Sequence, residues 1–267
     1  MVSTSRQPIL FLPHGGGPLP LLDDPDHRPL SHWLSETGSA LPRPNAILII
    51  SAHWEQRQPT LTAAAAPALI YDYYGFPPES YQLRYPAPGA PALANRIAAQ
   101  LQNAGFSAGT DAQRGFDHGM FVPLSLLFPA ADIPCLQLSL LSSLDPAEHI
   151  RLGEALTPLR DQDVLIVGSG MSFHNLPAMM MGAPPDRGDA FDDWLTICCT
   201  DAQLTPEQRY RQLCDWYQAP YARFSHPREE HLLPLHVCLG AAMGAAARSV
   251  FDSRLMGQRC RGFRWNH

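Results

Sequence analysis

Lysine is absent from this chain of 267 residues, and arginine supplies all 19 of its lysine-or-arginine positions. The absence excludes mechanisms that depend on a lysine amine, including Schiff-base chemistry, pyridoxal phosphate attachment and the lysine of a P-loop. Charged residues are also scarce, at 16% of the chain, and the formal net charge is −6. Since this composition offers no basic surface, we expect neither nucleic acid nor an anionic membrane as a partner.

Cysteine pairs and long apolar runs are missing as well. The six cysteines form no CxxC motif and most lie in apolar runs, which predicts reduced, buried thiols. No apolar run approaches the ~20 residues that span a bilayer. The first run, Ile9–Leu12, is too short for the core of a signal peptide and is followed at once by Pro13 and His14. We therefore expect a cytoplasmic protein without a disulfide framework or a zinc knuckle.

Apolar runs that alternate with helically spaced segments make up most of the chain. The predicted strands are 8–13, 46–51, 60–66, 107–113, 133–140, 163–167 and 247–252. The predicted helices are 90–104, 120–127, 145–159, 187–202, 205–218 and 226–247. This alternation is typical of a mostly parallel central sheet with helices on both faces. Because no linker, charge block or repeat divides the sequence, we predict a single α/β domain over residues 1–267.

Histidines recur just beyond the predicted strands. His14, His53 and His174 each follow one strand, and His231 opens a predicted apolar helix. Ligands of open parallel sheets bind beyond the carboxyl ends of the strands, so these four imidazoles are predicted to converge at one edge. Three imidazoles with open coordination positions suit a catalytic transition metal, and a fourth can serve as acid or base. The residue pattern alone therefore favours a metal site.

Several other histidines have weaker sequence contexts. His236 lies five residues after His231, on another face of the predicted helix, which indicates a structural role. Polar neighbours predict that four further histidines are solvated, namely His27, His32, His149 and His267. The pattern of residues assigns no chemistry to these five side chains.

Two motifs favour a different class of enzyme, a serine hydrolase. His14–Gly17 (HGGG) matches an esterase oxyanion element, and Gly105–Gly109 (GFSAG) matches G-x-S-x-G. A nucleophile elbow needs a strand before the serine and a helix after it. Here a predicted helix precedes Ser107, so Gly105 is interpreted as the end of that helix. A third glycine motif, Gly168–Gly170, follows a strand but lacks the rest of a dinucleotide-binding sequence.

Six groups of short motifs follow one another along nearly the whole chain. They are Pro13–Gly16 (PHGG), Ser51–Glu55 (SAHWE), Tyr71–Pro77 with Tyr85–Gly89 (YDYYGFP, YPAPG), Asp117–Gly119 (DHG), His174–Leu176 (HNL) and Glu230–Leu235 (EHLLPL). In this combination and order the chain resembles the DOPA-dioxygenase group of the class III, LigB-type, extradiol ring-cleavage dioxygenases.

The resemblance implies a non-haem divalent metal, Fe(II) in the active enzyme and Zn(II) often in purified protein. Its ligands would be His14, His53 and His231. The resemblance also implies that His174 acts as acid or base beside the open coordination positions, and that His118 is a second polar group facing the substrate. No site for a separate organic cofactor is expected.

The third ligand is the position at which branches of this class differ. Other branches use a glutamate there, and Glu229 and Glu230 stand beside His231. The DOPA-type pattern favours the histidine. Whether either glutamate assists the metal is left open by the sequence.

The implied reaction is the cleavage of a catechol-type ring by O2 to a muconic-semialdehyde-type product, with a DOPA-like diol as one substrate. The aromatic-rich segment 70–85 would wall the ring pocket. The sequence determines neither the particular catechol or aminophenol nor whether the chain forms a homo-oligomer. Two other classes stay open: a metal-dependent or serine hydrolase, and a non-catalytic member of the superfamily.

Overall fold

A computed structural model describes residues 6–266, which fold around one central sheet. Its strands are β1 (Ile9–Pro13), β2 (Ala46–Gln56), β3 (Thr60–Thr62), β4 (Gly109–Asp111), β5 (Cys135–Leu141), β6 (Val164–Gly170), β7 (Arg248–Leu255) and β8 (Gln258–Trp265). Their order in the sheet is β4-β3-β5-β2-β6-β1-β8-β7. The central strands β5, β2, β6 and β1 pair in parallel, and β8 and β7 add an antiparallel hairpin beside β1. The predicted α/β class with a mostly parallel sheet is confirmed.

Helices lie between most of the strands. They are α1 (Arg28–Ala40), α2 (Pro91–Asn103), α3 (His118–Leu127), α4 (Pro146–Leu156), α5 (Leu176–Met180), α6 (Asp186–Thr200), α7 (Pro206–Cys214), α8 (Ala222–Ser225) and α9 (Leu233–Ala241). The start of α4 follows from local sequence, because the Asp145 carboxylate accepts hydrogen bonds from the first free backbone N–H groups. Thr205 and Gln208 form a capping box at the start of α7.

Side chains of the central strands alternate between two apolar layers. In β1, Ile9 and Phe11 belong to one layer and Leu10 to the other. The first layer is completed by α2, α4 and α9, and the second by α1 and α3. Each fully buried side chain of this kind contributes about 1.5–3 kcal/mol relative to an exposed one. Burial on both faces explains why these strands are continuously apolar in sequence.

Strand β2 is longer than predicted and irregular where it ends. Its ladder with β6 finishes at Ser51. Its register with β5 changes between Ile50 and Glu55, so that residues 51–54 lie opposite Ser139 alone. An unmatched stretch of this kind bends a strand and redirects its side chains. His53 therefore lies inside β2 but beyond its last pair with β6, at the edge where the candidate site forms.

The predicted helix over 226–247 was wrong at its start. The chain makes the short helix α8, leaves helical geometry at His226 and begins α9 only at Leu233. Pro227 disfavours helical geometry in the residue before it, and Pro234 suits the first turn of a new helix. His231 consequently lies in a turn between two helices. Strand β8 was missed, and the predicted strand 247–252 proved to be the first arm of its hairpin.

Predictions about the remaining histidines had mixed outcomes. His27 and His149 were expected in solvent but are buried, with 1% and 0% exposure, because the fold supplies partners for both ring nitrogens. His32 is exposed and His236 is buried against backbone carbonyls, as predicted. His267 lies outside the described residues. Among residues 6–266, no helix combines the length and apolar character needed to cross a membrane.

The cysteines are free thiols, and most are buried, as the sequence predicted. Burial raises the pKa of Cys198 to about 12 and that of Cys135 to about 12. The neutral thiol is therefore the stable form of both side chains at neutral pH. Neither side chain is a strong nucleophile or metal ligand in this state.

Candidate metal centre

The carboxyl ends of the central strands bring the predicted histidines together. The His14 N–H donates to the carbonyl of Gly170 (3.2 Å), just beyond the paired ends of β1 and β6. The Met171 N–H donates to the carbonyl of His231 (2.9 Å), which fastens the turn before α9 to the same edge. A Cβ on Gly170 would lie only 2.2 Å from that carbonyl, so this close approach requires glycine.

His14, His53 and His231 form a nearly equilateral triangle of imidazoles. Their ring centroids are separated by 4.8 Å, 5.1 Å and 4.9 Å. The Nε2 atoms of His14 and His53 are 3.2 Å apart. Two nitrogens that each lie about 2.1 Å from one ion at roughly 100° are about 3.2 Å apart, so this spacing suits a shared metal.

Hydrogen bonds assign the tautomers of His14 and His231, and in both rings Nε2 is left available. The Nδ1 of His14 lies 2.9 Å from the carbonyl oxygen of Gly15, which can only accept, so Nδ1 carries the proton. The Nδ1 of His231 lies 3.0 Å from Glu230 Oε1. The Nε2 of His231 is buried and has no hydrogen-bond partner among residues 6–266. A buried, unpartnered nitrogen costs free energy unless a ligand engages it, and a metal ion is the fitting ligand.

The electrostatics of the triangle favour neutral imidazoles. Burial, followed by the charge of neighbouring histidines, lowers the pKa of His14, His53 and His231 well below the usual histidine range. A neutral imidazole offers its lone pair without first losing a proton. These three imidazoles are therefore candidate ligands for a divalent cation.

His118 flanks the triangle on one side. Its ring centroid lies 3.9 Å from that of His53 and 5.3 Å from that of His14. The Asp72 Oδ1 atom is 2.8 Å from His118 Nδ1 and also accepts the backbone N–H of His118 (2.9 Å), at the first residue of α3. Burial alone raises the pKa of Asp72, but the bonds to His118 outweigh it, and the net shift is downward. Sequence reasoning missed Asp72, because nothing local connects it to a histidine 46 residues later.

His174 flanks the triangle on the other side. Its ring stacks on that of His231 with centroids 3.3 Å apart and planes inclined by 15°. Its Nδ1 lies 3.5 Å from Glu230 Oε1. The neighbouring Glu229 instead pairs with Arg223 at 2.5 Å. Of the two glutamates that the sequence left open, Glu230 is thus the one that contacts the histidines.

All five predicted site histidines therefore meet at one place. Two groups of ligand atoms are close enough to hold an ion, each within 4.8 Å: His14, His53 and His118 in one, and His174, Glu230 and His231 in the other. The groups have no residue in common, but the rings of His14 and His53 contact the ring of His231. The five imidazoles and Glu230 are therefore the candidates for holding an ion at this edge.

A buried polar network lies next to the site, around Asp117. Asp117 is fully buried and accepts bonds from the Ser51 hydroxyl (2.7 Å) and the Gln137 amide (2.7 Å). The His53 N–H donates to the same Ser51 oxygen (3.2 Å), and Arg114 donates to Asp117 (3.1 Å). Burial, and then the charge of Asp72, raises the pKa of Asp117. The network ties the irregular end of β2 to the start of α3.

The aromatic segment predicted to wall a pocket packs beside His118. The Tyr73 ring lies 5.8 Å from the His118 ring and 5.5 Å from Phe76. Its hydroxyl donates to the carbonyl of Ser80 (2.5 Å), which fixes the ring and leaves its face available for packing. Tyr74, the next residue, is 92% exposed.

The serine-hydrolase motif has the wrong context in the structure. Ser107 is exposed and lies between α2 and β4, so no strand precedes it and no helix follows it directly. Gly105 has a φ of +90° just after α2, which is the conformation of a helix C-cap. The glycine motif beginning at His14 contributes that histidine to the triangle.

Comparison with known proteins identifies the family of this chain. The sequence profile described as the catalytic LigB subunit of aromatic ring-opening dioxygenase matches residues 8–264. The chain therefore belongs to the LigB family of aromatic ring-opening dioxygenases. The family is metal-dependent, and the resemblance drawn from the sequence is confirmed.

Individual relatives cover most of the chain. It is 44% identical over 255 residues to dioxygenase tasH of Hapsidospora irregularis, covering 88% of this chain and 78% of that protein. It is 44% identical over 238 residues to the 4,5-DOPA dioxygenase extradiol of Beta vulgaris, with 87% and 85% coverage. A crystal structure of an uncharacterized protein from Escherichia coli K12 superposes with a TM-score of 0.79 at 31% identity, covering 97% of this chain and 99% of that one. The chain is a ring-cleaving dioxygenase of the extradiol type.

Proposed function

We propose that this enzyme cleaves a DOPA-like catechol beside one of its hydroxyls, using Fe(II) held by His14, His53 and His231. The observation that carries the proposal is the triangle of neutral imidazoles with the buried, unpartnered Nε2 of His231. Zn(II) fits the same nitrogen ligands and is expected in protein purified in air. The product would be a muconic-semialdehyde-type compound.

The bound ion supplies Lewis acidity toward a chelating diol and the electron transfer that O2 requires. The chain supplies the geometry for that chemistry. His14, His53 and His231 would each hold the ion by one neutral nitrogen, and three protein ligands would leave it accessible to the substrate. The aromatic segment beside His118 contributes an apolar wall against the substrate ring.

Proton transfer is assigned to the two flanking histidines. Ring cleavage requires a base that removes the second proton of the catechol. It also requires an acid that later returns a proton to an oxygen atom of the reacting substrate. An imidazole can hold or release a proton near neutral pH. His174 is the principal acid–base residue in this proposal, because it stacks directly on His231, and His118 serves from the opposite side.

The substrate proposal draws on the relatives. The Beta vulgaris relative and that of Escherichia coli, 37% identical over 246 residues, are both named 4,5-DOPA dioxygenase extradiol. A small aromatic diol and O2 are the proposed partners, and neither nucleic acid nor a membrane is expected. The free cysteines support a cytoplasmic location. A homo-oligomer is compatible with this proposal and is not required by it.

Anaerobic Fe(II) loading followed by oxygen-electrode assays with a panel of catechols tests the proposal. We expect substrate-dependent O2 uptake and a yellow product. His53→Ala should lose stoichiometric metal, whereas His174→Ala should keep the metal and lose most turnover, by ~100-fold or more. Ser107→Ala alters an exposed residue between α2 and β4 and serves as the matched control with unchanged uptake.

Two results would contradict the assignment. Normal turnover by His174→Ala would remove its acid–base role. Ester hydrolysis that persists without O2 and stops in Ser107→Ala would favour a serine hydrolase instead.

A further inference from the structure

Asp72 contacts two of the five histidines through its two carboxylate oxygens. Its Oδ1 lies 2.8 Å from His118 Nδ1, and its Oδ2 lies 3.7 Å from His53 Nδ1. One of these rings is a proposed metal ligand and the other a proposed acid–base group. The bond to Asp72 at Nδ1 leaves Nε2 of His118 free, and His53, whose Nδ1 faces Asp72 at a longer distance, turns Nε2 toward His14.

Glu230 repeats this arrangement on the opposite side of the triangle. Its Oε1 lies 3.0 Å from His231 Nδ1 and 3.5 Å from His174 Nδ1. Again one partner is a proposed ligand and the other a proposed acid–base group. Both rings turn Nδ1 toward this oxygen and stack with their planes inclined by 15°.

We propose that Asp72 and Glu230 are paired positioning residues, each orienting one metal ligand together with one flanking histidine. The inference rests on the proposed function, because it takes the ligand and acid–base roles from there. Neither carboxylate touches substrate or metal in this scheme. Each acts through the Nδ1 atoms of two imidazoles.

Charge balance supports the same pairing. The side chains of Asp72 and Glu230 are 24% and 14% exposed, so both anions are largely withdrawn from water. Largely buried anions need cationic neighbours. Three neutral imidazoles around a divalent ion leave two positive charges, which two carboxylates offset in number.

Arg228 forms an ion pair with Glu230. The Arg228 guanidinium forms two bonds with Glu55, at 2.6 Å and 2.7 Å, near the end of β2. Its Nη1 also lies 3.4 Å from Glu230 Oε2. This guanidinium connects the turn that carries Glu230 to the strand that carries His53. The contact with Glu230 Oε2 is an ion pair without a hydrogen bond, while Oε1 faces the two rings.

The distances show that each carboxylate is closer to a different kind of histidine. Asp72 is closer to the flanking His118 than to the ligand His53, whereas Glu230 is closer to the ligand His231 than to the flanking ring. Asp72→Asn should therefore reduce turnover more than metal affinity. Glu230→Gln should reduce metal affinity more than turnover. A purely structural role would not produce this crossed pattern.

The experiment measures both properties in the full chain. Zinc affinity is obtained by competition with a chelator, and kcat and KM by O2 uptake of the Fe(II)-loaded enzyme. We expect Glu230→Gln to weaken zinc binding by about 10- to 100-fold, and Asp72→Asn to leave it within about threefold while lowering kcat by about 10-fold or more. Nitrogen-15 imidazole spectra of the zinc-loaded protein provide a third readout. In them, each variant should shift the Nδ1–H signals of its own two histidines.

Matched controls separate positioning from general loss of charge. Glu229→Gln removes the neighbouring carboxylate, which pairs with Arg223, and Asp132→Asn removes a carboxylate paired with Arg43. Both should leave zinc affinity, kcat and the imidazole spectra unchanged.

The outcomes distinguish this inference from the proposed function. If the unmodified chain bound no stoichiometric zinc or showed no O2 uptake, the proposed function itself would fail. If the unmodified chain behaved as expected but both variants matched it, or both lost affinity and turnover equally, the paired positioning roles would be overturned. A shift of only one histidine signal per variant would overturn the shared arrangement.

Discussion

Buried histidines at the sheet edge differ from buried histidines elsewhere in how their ring nitrogens are used. The Nδ1 of His149 donates to the carbonyl of Asp145 (2.7 Å), and its Nε2 accepts the Leu141 N–H (3.1 Å). At the candidate site, His231 uses Nδ1 in the same way but leaves Nε2 without a partner among the described residues. Both rings are fully or almost fully buried. Burial therefore does not identify a metal ligand, and neither does a free nitrogen alone, because the buried Nδ1 of His226 also lacks a hydrogen-bond partner among the described residues. What distinguishes His231 is a free nitrogen in a ring that contacts the rings of His14 and His53.

The strongest test of this comparison replaces a ring at the site. His231→Phe keeps an aromatic ring of similar size but removes the lone pair. We expect loss of stoichiometric metal and a fall in O2 uptake of ~1000-fold, equivalent to about 4 kcal/mol of transition-state stabilisation. The free energy of unfolding of the metal-free protein should fall by about 1.5–3 kcal/mol, because the Nδ1 bond to the Glu230 carboxylate is lost, whereas Nε2 has no hydrogen bond to lose. Metal analysis and urea unfolding measure both, and one bound metal per chain would contradict the comparison.

The reciprocal change is His149→Phe, in the core. It leaves the buried Leu141 N–H without its partner and removes one of the two bonds that the Asp145 carbonyl accepts, the other coming from the backbone N–H of residue 149. We expect a loss of about 2–4 kcal/mol in the free energy of unfolding, because the unsatisfied N–H costs about 1–3 kcal/mol and the second lost bond about 1 kcal/mol. Metal content and turnover of the folded fraction should not change. A variant with normal stability would show that the two nitrogen contacts of His149 contribute little.

The smallest effect concerns pH. Burial lowers the pKa of His149 to about 4 and that of His226 to about 3, from an ordinary value of 6.5. Below pH ~6.5 the unfolded chain binds protons that the folded chain does not, so stability falls as pH falls, by up to about 1.4 kcal/mol per pH unit for each histidine. Urea unfolding of metal-free protein between about pH 7 and pH 4.5 measures the slope. In His149→Phe the dependence of the unfolding free energy on pH should be shallower, by the contribution of about one proton. An unfolding free energy that did not change with pH in the unmodified protein would refute the expectation.

The sequence predicted the part of the site that depends on chain direction. His14 and His53 could be placed near one another because parallel strands present their carboxyl ends at one edge. His174 and His231 followed from the same pattern. The structure brings all of them within ring contact of at least one other member. The rule that ligands bind at the carboxyl ends of parallel strands was sufficient to place these residues, because the course of the backbone decides where they lie.

Features decided by tertiary packing were not predictable. His27 and His149 have polar neighbours in sequence, yet both rings are buried and bind backbone N–H groups of preceding loops or strands, 11 and 8 residues earlier in the chain. Asp72 lies in an aromatic loop whose relation to His118 depends on how that loop folds back. The turn containing His231 replaced a predicted helix, because two prolines outweighed the apolar pattern. Contacts between residues far apart in the chain leave no local pattern from which they could be inferred.

The unmatched residues 51–54 of β2 have a consequence for adaptation of the enzyme. The earlier part of β2 is fixed by ladders on both sides, whereas this stretch faces Ser139 alone. His53 therefore depends on Ser51 and Arg114 for its backbone contacts more than on the sheet. Substitutions around this stretch could adjust the position of one ligand without separating the strands that hold the fold. Geometry of the centre and stability of the domain can in this way be selected separately.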